Sequence, residues 1–137
     1  MFKDSINIRV SYKDTDKMGV VHHSNYLVYY ETARTEILRN HGLVYSSLEK
    51  EGIISPILEV ESKYLRPVHY DELIVVEATF SIFSPCRLEV RYEVRDTNAR
   101  LVNTGRTLLA FLDKKDGRPV AIPEKLVELI KAEEYEQ

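Results

Sequence analysis

The sequence predicts an α+β fold built on a mostly antiparallel sheet. Apolar and polar residues alternate near the N-terminus, helical spacing takes over between Ser24 and Gly42, and from Ile54 onward the period returns to two through four further segments. At 137 residues the chain has room for one domain with a real core, expected to span residues 1–137.

The elements follow in order. Ile6, Ile8, Val10 and Tyr12 alternate with polar residues, the mark of a strand with one buried face. That strand delivers the chain to Asp14 and Asp16. After Gly19, Ser24 and Asn25 are good helix N-caps; Tyr26, Tyr30, Ala33 and Ile37 recur at helical spacing until Gly42 supplies a C-cap. A short helical segment is expected from about Leu43 to Glu51, ending at Gly52. Leu58, Val60, Ser62 and Tyr64 share one face of a strand that stops near Arg66 and Pro67, because proline cannot donate to a sheet ladder. Ile74, Val76, Ala78, Phe80 and Ile82 share a face of the next, and Ser84 with Pro85 breaks it. Leu88, Val90, Tyr92 and Val94 alternate with Arg87, Glu89, Arg91, Glu93 and Arg95, a one-sided strand. A turn over Asp96 to Arg100 leads to a last strand, Leu101 to Leu112. Asp116 and Gly117 then turn the chain, and Pro123 opens a short amphipathic helix carrying Leu126, Val127, Leu129 and Ile130.

Composition excludes several classes. Hydrophobic residues make up 44% and charged residues 30%, the balance of a soluble globular protein. A formal net charge of -3 provides no global basic field for nucleic acid. One cysteine, Cys86, rules out an intramolecular disulfide, and the charged start MFKDSINIRV is unlike a signal peptide. No apolar run reaches the roughly 18 residues of a membrane span. A cytoplasmic location is expected, without integral membrane contact.

The stretch DTDKMGVVHHSNYLVYYETAR concentrates the chemistry. It resembles the entrance motif of the 4-hydroxybenzoyl-CoA thioesterase family, including its branch linked to the Tol-Pal envelope system. Asp14 and Asp16, Gly19, His23 with Asn25 and Tyr26, and Glu31 with Arg34 stand at matching intervals; SKYLRPVHYDE and the strand order extend the resemblance over essentially the whole chain. It implies a hotdog fold, a five-stranded antiparallel sheet wrapped around one long central helix, and an acyl-CoA thioester hydrolase acting on a short-chain aliphatic or aromatic acyl group. The sequence departs from the founding enzyme in carrying His23 where that branch has tyrosine, as the short-chain acyl branch does. Ser84, Pro85 and Cys86 also replace a basic cluster that grips CoA.

The resemblance assigns catalysis to Asp16, as general base or as nucleophile through a mixed anhydride, with His23 beside it. Helix N-termini carry backbone N–H groups without internal partners, so amides around Val21 to His23 are expected to polarise a thioester carbonyl. Gly19, Val21, His22, Asn25 and Tyr26 are expected to line the substrate. Asn25 is read as a cap or loop brace, Asp14 as loop support, and Glu31 with Arg34, one helical turn apart, as a supporting ion pair. Tyr29 joins Tyr26 and Tyr30 in the core or an interface. Among Lys63, Arg66, Arg87 and Arg91, Arg66 and Arg87 are the stronger candidates for CoA phosphates, from this or a neighbouring subunit. No metal is expected, since Asp14, Asp16, His22 and His23 lack ligand spacing. No cofactor is expected either, CoA being part of the substrate. The expected assembly is a homotetramer, a dimer of hotdog dimers with sites at the dimer interface. An acyl carrier protein thioesterase and a noncatalytic acyl-binding or interaction module on the same fold are the competing readings.

Overall fold

The computed structural model describes residues 1–136. Its elements are β1 (Phe2–Arg9), a 3-10 turn at Tyr12–Asp14, α1 (Asn25–Asn40), α2 (Tyr45–Lys50), β2 (Ile53–Ile54), β3 (Ile57–Tyr64), β4 (Leu73–Ser84), β5 (Arg87–Arg95), β6 (Leu101–Ala110), β7 (Leu112–Asp113) and α3 (Glu124–Glu136). β1, β4, β5, β6 and β3 form one five-stranded sheet in that order, and β2 pairs with β7. Every ladder is antiparallel.

The period-two pattern places one face of the sheet against α1. Ile74, Val76, Ala78 and Phe80 of β4 and Leu88, Val90, Tyr92 and Val94 of β5 are buried there, opposite Tyr26, Tyr29, Tyr30, Ala33 and Ile37 of the helix. Gly105 sits mid-strand in β6, with Ser62 and Tyr92 as its ladder neighbours. A Cβ built on Gly105 would overlap the end of the Tyr30 ring. Into the space the glycine leaves, Tyr30 inserts its hydroxyl, which bonds Asn103 Oδ1, Ser62 Oγ at 2.9 Å and Thr104 O at 3.3 Å. Its ring stacks on Tyr92 at 4.3 Å. The missing side chain therefore sets how closely α1 approaches the sheet.

Four features differ from the sequence reading. Tyr12 lies in the 3-10 turn, 77% exposed, because β1 ends at Arg9. Ser24 and Asn25 do not cap α1 through their side chains: Ser24 Oγ pairs with His22 Nδ1 at 2.8 Å, and Asn25 Nδ2 donates to Asp14 O at 2.8 Å. The expected strand to Leu112 divides at Phe111, whose N–H turns to Cys86 O. Lastly α3 runs 13 residues, so α1, at 16, is not the only long helix. The C-terminal end of α1 is as read: Gly42 has φ 83° and Leu43 N–H returns to Leu38 O at 2.9 Å.

β3 is an edge strand. Leu58, Val60, Ser62 and Tyr64 do share the helix side, yet Leu58, Val60 and Tyr64 are 42–51% exposed, because β3 has no strand beyond it and α1 only partly overlies it. Ile57 and Leu65 extend this apolar edge, and Leu27 and Val28 stand exposed on α1.

Candidate active site

Asp16 opens a tight loop ahead of α1. Its N–H donates to Val20 O at 2.8 Å and its carbonyl accepts from Gly19 N at 3.0 Å. Gly19, at φ 77°, supplies the left-handed residue this turn requires. The carboxylate folds back on its own loop: Oδ1 accepts from Met18 N at 2.8 Å and from Val20 N at 3.5 Å. Oδ2 has no hydrogen-bond partner among the described residues. One oxygen is thus anchored and the other is open.

The loop is stitched to the chain after β3. Val20 bridges to His69, and Val21 N donates to Val68 O at 2.8 Å. This seam closes a groove of about 320 Å³ between Asp16, Val21, His23 and Tyr26 on one wall and Tyr64, Leu65, Arg66 and Pro67 on the other. Tyr64 joins the walls, its hydroxyl donating to His23 O at 3.2 Å and its ring meeting Tyr26 edge-on at 5.5 Å. Burial foremost, aided by Tyr30, Glu72 and Tyr64, pushes Tyr26 up to about 12, so the groove presents a neutral phenol.

The entrance amides are not equally available. Val21 N–H is committed to Val68 O and His22 N–H to Asp14 O at 2.9 Å, which corrects the expectation that both face substrate. Ser24 N donates to His22 Nδ1, Asn25 N to His22 O, and Tyr26 N to His23 O. His23 N–H alone in this run has no hydrogen-bond partner among the described residues.

Several side chains are structural. Asp14 Oδ2 accepts from Tyr29 OH at 3.0 Å and from Ser11 N at 3.4 Å, while its carbonyl takes His22 N and Asn25 Nδ2. Burial and this carboxylate raise the Tyr29 phenol above its ordinary value. His22 is exposed, its ring 4.1 Å from that of His23. With Asp14 turned to Tyr29 and His22 to Ser24, the two acids and two histidines form no common ligand set.

Glu31 and Arg34 do not pair, which corrects the helical-spacing expectation. Arg34 is only 7% exposed and donates through Nη1 to Tyr92 OH at 3.1 Å, whereas Glu31 is exposed. Arg66 lies in the groove wall with no ion pair among the described residues. Arg87 begins β5, at the end of the sheet away from the groove, roughly 20 Å along the strand from Val94. Lys63 and Arg91 sit on the outer sheet face with Arg106. Tyr64, Leu65 and Pro67 were not singled out as groove residues from sequence. Their signal was the position of SKYLRPVHYDE at a strand end, uninformative until the loop docks on it.

A helix laid on a five-stranded antiparallel sheet, with an acid-bearing loop at the helix entrance, defines the hotdog class. Over residues 10–130 the chain matches the model of the thioesterase-like superfamily, and it belongs to that family. It is 32% identical to YneP of Bacillus subtilis (strain 168) over 113 residues, 82% of each chain. It is 28% identical over 120 residues to the acyl-CoA thioester hydrolase YbgC of Escherichia coli O157:H7, covering 88% of this chain and 90% of that one. Among solved structures, the DHNA-CoA thioesterase from Staphylococcus aureus superposes with a TM-score of 0.90 at 27% identity, over 100% of this chain and 97% of that one.

Proposed function

We propose that this protein is a single-domain acyl-CoA thioesterase, acting in the cytoplasm on a short-chain aliphatic or aromatic acyl group. The observation that carries the reading is the open Oδ2 of Asp16 in a groove whose wall also holds His23, the residue with the uncommitted entrance amide. Family membership and similarity to the named acyl-CoA thioester hydrolase support it.

In the general-base route, Asp16 takes a proton from water as the water oxygen bonds to the thioester carbon. Negative charge passes to the carbonyl oxygen, where His23 N–H donates to it. The carbon–sulfur bond then breaks, CoA leaves as thiolate and takes up a proton, and the free acid remains. In the covalent route Asp16 itself attacks, CoA leaves, and water hydrolyses the resulting mixed anhydride. Both routes need Asp16 ionised, and both use the same amide. Tyr26 and Tyr64 supply apolar walls, and Arg66 serves the CoA phosphates.

Hydrolysis of short, long and aromatic acyl-CoAs by wild type and Asp16→Asn tests this. The substitution keeps the shape and an acceptor oxygen, so folding persists while turnover falls on the order of 100-fold to 10,000-fold. Asp14→Asn, in the loop brace, costs much less. His23→Ala retains the amide and loses less than about tenfold if the backbone is the electrophile. Near-normal turnover by folded Asp16→Asn rejects the reading.

The assembly proposed with it is a homotetramer of hotdog dimers. The unpaired β3 edge, with Leu58, Val60 and Tyr64 exposed on one side, is a surface that a second copy would cover.

A further inference from the structure

A second cavity of about 350 Å³ lies between α1 and the Ile57 end of β3, outside the Asp16 groove. Arg34 and Ser55 line it with Glu31, Thr35, Tyr45 and Ile57. Two features of this lining are unusual. Arg34 is more than nine-tenths buried, yet it forms no ion pair among the described residues, its one side-chain hydrogen bond being to the neutral Tyr92 OH. Ser55 Oγ is buried with no hydrogen-bond partner among the described residues. A buried guanidinium is costly without a carboxylate or phosphate to take its remaining N–H groups, and an orphan hydroxyl in the same cavity lining is a second idle donor. Proteins pair such groups internally unless a ligand does so.

The position of the cavity says which ligand reaches it. α1 runs along β3: Tyr26 touches Tyr64, Tyr30 bonds Ser62, and Arg34 with Thr35 reaches Ile57. Within one protomer the cavity and the Asp16 groove lie at opposite ends of β3, with Tyr26 and Arg34 separated by roughly 12 Å along the helix. A two-fold pairing of β3 edges reverses this. Opposite residues in an antiparallel ladder share a face, so a pairing that keeps both helices on one side centres on Val60 or Glu61. Leu58 of one copy then stands opposite Ser62 or Tyr64 of the other, and each Arg34 cavity meets the partner's Asp16 groove.

We infer that Arg34 and Ser55 of one protomer form the acyl-end subsite for the Asp16 groove of its partner, selecting short acyl arms that end in a carboxylate. The inference rests on the thioester reading of that groove and adds the substrate class. Arg34 offers the planar fork that matches a carboxylate, and Ser55 a further donor. Glu31 is the charge that opposes it, standing exposed at the rim where solvent screens its field.

Glutaryl-CoA and pentanoyl-CoA share chain length and differ in the terminal carboxylate. Calorimetric binding of each to the Asp16→Asn protein, which holds substrate without turning it over, is expected to favour glutaryl-CoA by about tenfold or more. Arg34→Met brings the ratio close to one, Ser55→Ala lowers it partway, and Glu31→Gln raises it, with melting and light scattering confirming folded assemblies. Should Arg34→Met fail to fold, the Ser55→Ala and Glu31→Gln ratios decide. Co-expression of Asp16→Asn and Arg34→Met chains tests the shared site. Random pairing makes half the dimers mixed, each with one intact site, so at glutaryl-CoA well below saturation the rate reaches roughly a quarter of wild type, against about a twentieth if Asp16 and Arg34 of the same chain formed the site. Equal binding of the two probes by Asp16→Asn, or no recovery on co-expression, overturns the inference. A preserved binding ratio in a wild-type protein that hydrolyses neither probe leaves the subsite standing and removes the catalytic reading instead.

Discussion

Replacing Gly105 by alanine tests whether the fit between α1 and the sheet holds the entrance in place. The new methyl would occupy the space of the Tyr30 ring end, and Tyr30 has no room to yield, being fully buried and stacked on Tyr92 at 4.3 Å. Either the helix lifts or the ring rotates out of its notch. Overpacking of this kind costs about 1–3 kcal/mol. Displacing the hydroxyl also breaks its bonds to Asn103 and Ser62, at about 1 kcal/mol each. The expected total is about 3–5 kcal/mol, which for a chain of this size lowers the melting temperature by roughly 10–20 °C. Urea and thermal unfolding at fixed protein concentration measure it. Tyr30→Leu in the Gly105→Ala background should recover part of the loss, giving a positive coupling in the double-mutant cycle. A Gly105→Ala loss below about 0.5 kcal/mol, or strict additivity with Tyr30→Leu, would refute the argument that this contact sets the helix height.

Arg66→Glu should raise the Michaelis constant for an acyl-CoA about tenfold with little change in kcat and with altered salt dependence, whereas Arg87→Glu should do so only if a neighbouring subunit brings it to the groove. Glu89 gives a pH prediction. Burial works to raise its carboxyl, but hydrogen bonds from Arg106 and Arg91 prevail and hold it below the ordinary glutamate value. Its contribution is therefore present above the unfolded pKa near 4.3 and lost as pH falls through the lower folded value; Glu89→Gln should flatten the acid side of the stability curve, and an unchanged slope counts against the assignment. Val60→Lys, mid-edge on β3, should yield a smaller species by light scattering, and an unaltered oligomer would argue against pairing at this edge.

The entrance loop ahead of α1 was only half legible in the sequence. Asp16, Gly19 and His23 stand at an entrance any reader of caps and dipoles would notice; the structure puts Asp16 and Gly19 in one tight loop and Asp16 and His23 on one groove wall. Which amide is left over is a different question. It depends on Val68 and Asp14 supplying carbonyls to Val21 and His22, and Val68 is remote in sequence. Arg66 was readable as a cation near a proline stop; its groove neighbours Tyr64, Leu65 and Pro67 acquired meaning only once Val20 and Val21 docked against His69 and Val68.

Local periodicity by itself determined the order and kind of the main elements, since side chains alternate in a strand and recur every third or fourth residue in a helix whatever lies across from them. It also determined the charge balance and the acid-rich entrance to α1. Tertiary structure decided everything that needs a partner distant in the chain. Glu31 and Arg34 have ideal spacing for an ion pair, yet Arg34 turns inward to Tyr92, 58 residues away. Leu58, Val60 and Tyr64 alternate as a buried strand would, yet they are exposed because β3 falls at the sheet's edge. The physical reason is common to both cases. A spacing rule describes which residues share a face, while burial and hydrogen bonding depend on what that face meets, and only the packed chain supplies it.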